Sequence, residues 1–218
     1  PLLGKSPSFS MSWSQLDGAL VQVLSNNDTI VGCNAEGNIW RRAIGGGEWE
    51  QLEGAATCVD IDNDGTLWCT NSEGGIFRWN GGGWDQQEGN AVRISCGGGS
   101  VWCLNGENQI FQWNGGGWDL KDGLAVEIGV GDDGSVWCVN GEGGIFRWNG
   151  GGWDQQEGNA THISVGGGDN VVCCNGEGSI FRWNGGGWDQ QEGAAVKATI
   201  NANGNMHCVN SENQVWAM

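Results

Sequence analysis

Tyrosine is absent from this chain of 218 residues, which also contains only 2 Pro, 2 His and 9 Lys and Arg residues. The lack of Tyr excludes sialidase chemistry, because sialidases use a tyrosine nucleophile. No apolar run approaches the roughly 20 residues that a membrane-spanning helix needs. The 26 acidic residues give a net charge of −17, which disfavours binding to nucleic acid and to anionic membrane surfaces. We therefore expect neither nucleic-acid binding nor membrane insertion.

Glycine and tryptophan are abundant, with 43 and 15 copies respectively. Glycine and proline together make up about a fifth of the chain, which is below the roughly 25–30% typical of disordered sequences. A disordered chain would also lack so many tryptophans. The composition therefore indicates an ordered protein in which glycine serves many turns.

The 9 cysteines mostly lie within apolar strand patterns. We expect them to be small buried side chains in a reducing compartment. The alternative is a hairpin disulfide, such as Cys58–Cys69 or Cys96–Cys103. No CxxC pair occurs, so the sequence predicts no metal site, and nothing in it indicates a cofactor.

The first residues show no basic stretch followed by an apolar one, so the sequence indicates no signal peptide. We therefore expect a cytoplasmic protein. Secretion by a non-classical route, or as a mature form that begins at Pro1, remains an alternative.

The sequence repeats six times at intervals of 34 to 37 residues. One series is Trp13, Trp49, Trp84, Trp118, Trp153 and Trp188. A second aromatic series is Trp40, Phe77, Phe111, Phe146, Phe181 and Trp216. An Asn-x-Glu motif precedes each member of the second series, with its Glu at Glu36, Glu73, Glu107, Glu142, Glu177 and Glu212. A repeat of this period is typical of propellers, solenoids and similar arrays.

Each repeat reads as four short strands separated by glycine-rich turns. In the third repeat the predicted strands are Ala91–Cys96, Ser100–Leu104, Gln109–Trp113 and Trp118–Lys121. These segments are rich in Val, Ile, Phe and Trp, and glycine supplies the positive φ angles of tight hairpins. No segment of helical length shows the apolar periodicity of about 3.6 residues that is typical of an amphipathic helix.

Six units of four strands predict an all-β fold, a six-bladed β-propeller of four-stranded antiparallel blades. The predicted blades of this single domain span residues 20–53, 56–88, 91–122, 125–157, 160–192, and 195–218 together with 8–17. The main alternative is a linear solenoid, which would need terminal caps that differ from the repeats. The chain begins with a fourth-strand motif and stops after a third-strand motif. We therefore expect the segment from Ser8 to Asp17 to join the C-terminal blade and close the ring.

The motif W-x-Q-x-x-G-x-A, followed by VWCxN and IFRW, resembles the tectonin repeat. Good matches are Trp84–Ala91 and Ile145–Trp148. The resemblance covers the whole chain and implies a six-bladed lectin of innate defence, similar to slime-mould, mushroom, horseshoe-crab and fish-egg proteins. Some fungal members of the family recognise O-methylated sugars. The first repeat departs from the pattern around Arg42 and the last ends in Ala217-Met218, which places two of the six sites in question.

The loop Trp-Asn-Gly-Gly-Gly-Trp-Asp is intact in only four repeats, so not every blade needs it to fold. A flat indole beside an amide and a carboxylate suits a sugar, which packs its C–H groups on the ring and hydrogen-bonds through its hydroxyls. The alternative is that near-identical copies record recent duplication. The candidate residues are Trp79, Asn80, Asp85, Trp113, Asn114, Asp119, Trp148, Asn149, Asp154, Trp183, Asn184 and Asp189.

Two further sets complete the candidate carbohydrate site. The first consists of arginines that adjoin the loop, namely Arg78, Arg147 and Arg182. The second consists of the turn glutamates Glu73, Glu107, Glu142 and Glu177, for which solvated turn residues are the alternative. We expect the first aromatic series of the repeat to pack between blades. The same expectation holds for the phenylalanines of the second series, Phe77, Phe111, Phe146 and Phe181.

These features predict a multivalent, non-catalytic lectin that binds glycans on foreign cell surfaces, including O-methylated or N-acetylated sugars. Repetition favours this function because several weak sites on one ring gain avidity. The alternative is a propeller scaffold for protein–protein interaction, which would show one irregular apolar patch. A homo-oligomer is compatible with either. His162 and His207 read as ordinary strand residues. The segment Asp60–Gly65 matches the first half of a calcium loop, but an ordinary hairpin turn is the better interpretation.

Overall fold

The computed structural model describes residues 12–218 and is built entirely from β-strands. Its 24 strands form six antiparallel sheets of four strands each, arranged as a six-bladed β-propeller. The predicted fold class is thereby confirmed. Residues 12–218 include no helix that could cross a membrane.

Each blade is a meander whose first strand lies innermost and whose fourth lies at the outer edge. Blade 1 contains β2 (Gln22–Ser25), β3 (Thr29–Cys33), β4 (Asn38–Ala43) and β5 (Glu50–Ala55). Blade 2 contains β6 (Cys58–Ile61), β7 (Leu67–Thr70), β8 (Ile76–Trp79) and β9 (Trp84–Gln87). Blade 3 contains β10 (Arg93–Gly97), β11 (Ser100–Leu104), β12 (Gln109–Trp113) and β13 (Trp118–Leu124).

The second half of the chain continues the same order. Blade 4 contains β14 (Glu127–Val130), β15 (Val136–Val139), β16 (Gly144–Trp148) and β17 (Trp153–Asn159). Blade 5 contains β18 (His162–Gly167), β19 (Asn170–Cys174), β20 (Ser179–Trp183) and β21 (Trp188–Ala194). Blade 6 contains β22 (Lys197–Ile200), β23 (Met206–Val209), β24 (Gln214–Ala217) and, from the opposite end of the chain, β1 (Ser14–Ala19).

The ring closes through β1, as the strand count predicts. This strand pairs antiparallel with β24, with Gln15 opposite Trp216 and Leu16 opposite Val215. The expected closing segment began at Ser8, and its residues 8–11 lie outside the described part of the chain. Blade 6 is therefore held together by pairing between the two ends of the sequence.

The two ends of every blade carry different connections. The turns that contain Asn-x-Glu join the second and third strands, and we call the side of the ring that they occupy the Asn-x-Glu face. The glycine-rich loops join the third and fourth strands and lie at the opposite end, which we call the Gly-loop face. In the turn of blade 2, Asn71 Oδ1 accepts hydrogen bonds from the amides of Glu73 and Gly75 at 3.1 and 2.8 Å.

The hydrophobic core lies between neighbouring blades and forms one cluster at each seam. At the seam of blades 2 and 3, for example, Trp68 packs with Ile94 and Val101. All nine cysteines are buried and unpaired, so neither hairpin disulfide considered from the sequence forms. Burial raises the pKa of thiols such as Cys103 and Cys138 to about 12, which leaves them as small apolar side chains.

A tryptophan of each outer strand ties its blade to the preceding one. The indole Nε1 of Trp118 donates to the carbonyl of Glu88 at 2.8 Å, and its ring lies on Gly89, which has a φ of +103°. The same bond joins Trp13 to Glu192, Trp49 to Asp17, Trp84 to Glu53, Trp153 to Asp122 and Trp188 to Glu157, at 2.6 to 2.8 Å. This Trp–Gly contact occurs at all six seams, and the packing predicted for this tryptophan series is confirmed.

We predict that Gly89→Ala destabilises the protein more than Gly81→Ala does. Both glycines have a positive φ, but a Cβ on Gly89 would lie 3.1 Å from the Trp118 ring, whereas nothing lies within 4 Å of one on Gly81. The backbone strain is shared, so the difference reports the indole contact. Overpacking of this kind should add about 1–3 kcal/mol to the loss of unfolding free energy in urea. Equal losses of unfolding free energy in the two variants would show that the Trp118 ring moves away from the added Cβ without a loss of stability.

We also predict that deletion of residues 1–19 lowers the melting temperature sharply relative to deletion of residues 1–11, which leaves β1 in place. The longer deletion removes β1 and leaves the edge of β24 unpaired, and it also removes Trp13 and its bond to Glu192. Calorimetry of the two truncated proteins measures the difference. If both melt like the full chain, closure by β1 contributes nothing to stability.

Candidate functional site

The candidate residues predicted from the sequence do not form a single site. Trp79, Asn80 and Asp85 belong to the Gly-loop face, whereas Glu73 lies in the Asn-x-Glu turn at the other end of strand β8. That strand has four residues, at about 3.3 Å per residue, so the two groups are too far apart to bind one sugar. The same division holds for the other three intact repeats, because their strands pair in the same way.

The polar groups of the Gly-loop are largely occupied by the turn itself. Asn80 Oδ1 accepts hydrogen bonds from the amides of Gly82 and Gly83 at 3.0 and 2.9 Å, and its Nδ2 donates to Asp85 at 2.9 Å. The equivalent Asn–Asp bonds join Asn114 to Asp119, Asn149 to Asp154 and Asn184 to Asp189 at 2.8 to 2.9 Å. These amides therefore stabilise the turn.

The first tryptophan of the loop is packed at a seam and does not lie flat on the surface. Trp113 makes edge contacts with Trp68 of the preceding blade and with Trp118, at centroid distances of 5.8 and 5.1 Å. Trp148 and Trp79 are also partly buried in seam clusters, and Trp183 is only 9% exposed. The loop is dispensable for the fold in blades 1 and 6, but where it is present its tryptophan contributes to packing.

The neighbouring arginines are held by aromatic and amide partners. Arg78 lies over the Trp68 ring and Arg147 over the Trp137 ring, at 5.8 and 5.6 Å from the centroids. Arg182 donates to Asn170 Oδ1 at 2.8 Å. Cation–π contacts of this kind are modestly stabilising, so the arginines have a structural role on this face.

Concave pockets occur on both faces. On the Gly-loop face, a pocket of about 480 Å³ brings together the predicted residues Arg78, Trp79, Asn80 and Asp85 of blade 2, but their polar groups are largely occupied as described above.

Other pockets lie at the seams, on the side of the Asn-x-Glu turns. The pocket between blades 2 and 3, which we call pocket 2/3, has a volume of about 390 Å³. Its walls include Phe111 and Trp118, with Asn105 and Glu107 from the turn and Asn90 from the preceding blade. Its size lies within the range of about 300–1,000 Å³ that is usual for small-molecule sites.

An equivalent pocket lies between blades 6 and 1, and we call it pocket 6/1. It has a volume of about 320 Å³ and is lined by Trp40, Trp49, Asn34, Gly18 and Ala19 with Leu20. Trp40 stands where pocket 2/3 has Phe111, and Ala19 where it has Asn90. The first repeat, which departs from the pattern in its Gly-loop, therefore still forms a pocket.

The turn glutamate Glu107 lines pocket 2/3, and the turn glutamates of all the repeats are exposed. None of them takes part in an ion pair in residues 12–218. The turn asparagine accepts backbone amides with its Oδ1, which leaves Nδ2 of Asn34 and Asn175 without a protein partner in the described structure. Pocket 2/3 thus combines aromatic walls with a carboxylate acceptor, and pocket 6/1 combines aromatic walls with the free amide nitrogen of Asn34.

Sequence reasoning missed the pocket walls, because it assigned Trp49, Trp118 and Phe111 to packing alone. They do pack between blades, but each also exposes part of its ring to the seam pocket. The available signal was that these two aromatic series persist in all six repeats, including the two in which the Gly-loop is broken.

The central channel is narrow and contains the buried charges. Its cavity of about 30 Å³ has room for about one water molecule, so it is too small for a sugar. Burial raises the pKa of Asp60 to about 7, although Ser95 and the Cys96 amide donate hydrogen bonds to its carboxylate at 2.8 and 3.0 Å. Residues 12–218 place no three His, Cys, Asp or Glu side chains together as metal ligands.

Glu127 shows the opposite behaviour at one mouth of this channel. Burial would raise its pKa, but the hydrogen bond and charge of His162, together with Lys197 and Arg93, lower the pKa to about 2. Arg93 Nε and His162 Nδ1 lie 3.2 and 3.3 Å from the carboxylate. The two histidines are buried strand residues with partners, and burial and nearby Arg42 lower the pKa of His207 to about 4.

A known protein family matches the middle of the chain. Residues 90–182 match the model of the Tectonin domain. Tectonin-2 from Physarum polycephalum is 37% identical over 78 residues, which are 35% of this chain and 21% of that protein. The match therefore spans about a fifth of the relative's length.

Solved structures with low sequence identity share the fold. A chain of the mitotic checkpoint complex has a TM-score of 0.67 at 10% identity, over 100% of this chain and 97% of that one. A streptogramin B lyase has a TM-score of 0.65 at 13% identity, over 94% and 96% of the two chains. At such identities the likeness concerns the propeller fold alone.

We predict that the unfolding free energy responds to pH in two separate windows. The raised pKa of Asp60 means that its contribution is complete below its unfolded value of 3.8 and is lost as the pH rises through about 7. The lowered pKa of Glu127 means that its contribution is present above 4.5 and is lost as the pH falls toward about 2.

Urea unfolding of two matched variants separates the windows. Relative to the wild-type protein, which carries the same His207, Asp60→Asn should remove the decline in stability that extends from pH 3.8 to about 7, and should leave the slope below pH 3.8 unchanged. Glu127→Gln should flatten the acid side below pH 4.5 and leave the neutral side unchanged. If both variants changed the same part of the pH profile, the assignment of the two pH ranges to Asp60 and Glu127 would be wrong.

Proposed function

Because residues 90–182 of this chain belong to the tectonin family and the same repeat continues around the ring, we propose that the protein is a multivalent lectin. The observation that carries the proposal is the seam pocket, which places two aromatic walls beside a turn amide at two seams of the ring and adds the Glu107 carboxylate in pocket 2/3. The proposed ligands are glycans on foreign cell surfaces, including O-methylated or N-acetylated sugars.

The chemistry of the pocket suits a sugar. The rings of Phe111 and Trp118, or of Trp40 and Trp49, offer apolar faces on which sugar C–H groups pack. Glu107 at the rim accepts hydrogen bonds from hydroxyls. The pocket is shallow and open, which fits a terminal sugar of a longer chain.

Repetition supplies the affinity that one such pocket lacks. Single sites of this kind bind in the millimolar to micromolar range, or roughly 4–8 kcal/mol. Seam pockets on one rigid ring gain orders of magnitude in avidity when they engage a surface that displays many copies of the glycan. The proposed target is therefore a multivalent cell surface, and the proposed activity is binding without catalysis.

A protein-interaction scaffold is less well supported. It would use one irregular apolar patch, and the most exposed large apolar side chains of residues 12–218 are Leu120 and Leu124 on the edge strand β13, at 59% and 60%. Two leucines offer less than the several hundred Å² that marks a docking patch. The recurring pockets favour the lectin.

We predict that replacing Glu73, Glu107, Glu142 and Glu177 together with Ala weakens binding to an immobilised glycan by about tenfold or more. The change removes an acceptor from four rims, and the exposed carboxylates make no ion pair that the fold would lose. A glycan array with O-methylated and N-acetylated sugars identifies the ligand, and surface plasmon resonance then measures the loss.

The matched control replaces Arg78, Arg147 and Arg182 with Gln on the Gly-loop face, where binding should be unchanged. The reverse result would place the site on the Gly-loop face. If the wild-type protein binds no glycan on the array, even at high valency, the lectin proposal is wrong.

A further inference from the structure

The six seams differ at one position, which lies directly after the glycine that contacts the tryptophan. We call it the rim position, because its residue lines pocket 2/3 as Asn90 and pocket 6/1 as Ala19. The residue there is Ala19, Ala55, Asn90, Leu124, Asn159 or Ala194, in order around the ring. Only the seams between blades 2 and 3 and between blades 4 and 5 therefore carry a rim amide. The second seam has the same residue type as the first at every position that lines pocket 2/3, and we call the equivalent surface pocket 4/5.

These two asparagines are anchored in the same way. Asn90 Nδ2 donates to the carbonyl of Glu73 at 3.2 Å, and Asn159 Nδ2 donates to the carbonyl of Glu142 at 3.0 Å. A carbonyl oxygen only accepts hydrogen bonds, so the amide nitrogen must face it. The Oδ1 atoms of Asn90 and Asn159 have no protein partner among the described residues, and each remains a fixed acceptor.

The anchored amide needs a glycine beneath it. The side chain of Asn90 lies over Gly74 and that of Asn159 over Gly143, so closely that a Cβ on either glycine would collide with the amide. Blades 3 and 6 have Asn108 and Asn213 at this turn position, with φ of 64° and 61°. Their rim residues are Leu124 and Ala19, so the chain has no rim amide where the turn would obstruct one.

We propose that Asn90 and Asn159 determine specificity, and make pockets 2/3 and 4/5 the tighter sites of the ring for sugars that present a hydroxyl or N–H donor at the rim. The inference rests on the proposed lectin function. A preoriented acceptor binds such a donor without the entropic cost of ordering a free side chain. The four other pockets lack this acceptor and bind the same sugar more weakly.

The proposal predicts that the acceptor can be transplanted into one pocket and not into another. Ala55 lies beside Gly37, where a Cβ would have its nearest neighbour at 3.4 Å, so Ala55→Asn has the glycine that the anchored amide requires and the Glu36 carbonyl to bind. Ala19→Asn is the matched control, because Asn213 occupies the turn position of blade 6. Both variants add the same amide to an exposed rim.

Native mass spectrometry with glucose, mannose, galactose, fucose, N-acetylglucosamine and 3-O-methylglucose, each alone, counts the tight sites. We expect two in the wild-type protein, three in Ala55→Asn, two in Ala19→Asn and none in Asn90→Ala/Asn159→Ala. Each tight site should exceed the others by about three- to tenfold in affinity. Circular dichroism establishes that every variant is folded.

The possible failures are distinguishable. Six equal sites in the wild-type protein, or a count that Ala55→Asn leaves unchanged, would overturn the role of the rim amide and leave the lectin proposal standing. An equal gain in Ala55→Asn and Ala19→Asn would show that anchoring over glycine is not required, which also contradicts the inference. If the wild-type protein binds none of the six sugars, the lectin proposal fails at the monosaccharide level, and this inference fails with it.

Discussion

The hydrogen bond from an outer-strand indole to a carbonyl of the preceding blade recurs at every seam and constrains the residues around it. The carbonyl of Glu88 faces Trp118 at a point where the next residue, Gly89, has a positive φ and no side chain. Any other residue there would be strained and would press against the ring. The bond needs a tryptophan on each blade, and Trp13 supplies the sixth, so closure by the N-terminal strand completes the series.

The inner strands are joined by contacts that differ from seam to seam. Gln22 binds the amide of Val59 at 3.0 Å, Ser95 donates to Asp60 at 2.8 Å, and His162 lies against Glu127. The outer Trp–carbonyl bonds are the same at every seam, so they would allow any two blades to be neighbours. Each of these inner pairs fits only one pair of blades. Asp60 and Glu127 belong to these inner strands, so the response of stability to pH that they produce arises there and the outer pockets are independent of it.

The segments rich in Val, Ile, Phe and Trp and the glycine turns between them predicted the strands of each blade well, because both are local properties of the sequence. Strands β11 and β12 have their predicted bounds, and counting strand motifs was sufficient to predict closure. The site was harder to predict, since Asn80 and Asp85 have the chemistry of a sugar site but bind each other in the turn. Sequence spacing shows that Trp118 recurs, but which part of its ring stays exposed depends on how far apart two blades lie.

The indole that joins two blades also forms a wall of the pocket between them. If the protein is a lectin as proposed, the same tryptophan therefore serves both folding and binding. Such a wall cannot adapt to different ligands without weakening the seam, which makes the pocket rigid and preorganised. Variation among pockets is therefore restricted to positions that the Trp–Gly contact leaves free, of which the rim residue at Asn90 and Leu124 is one. The net charge of −17 disfavours anionic ligands at every pocket, so selectivity among neutral sugars depends on these few rim side chains.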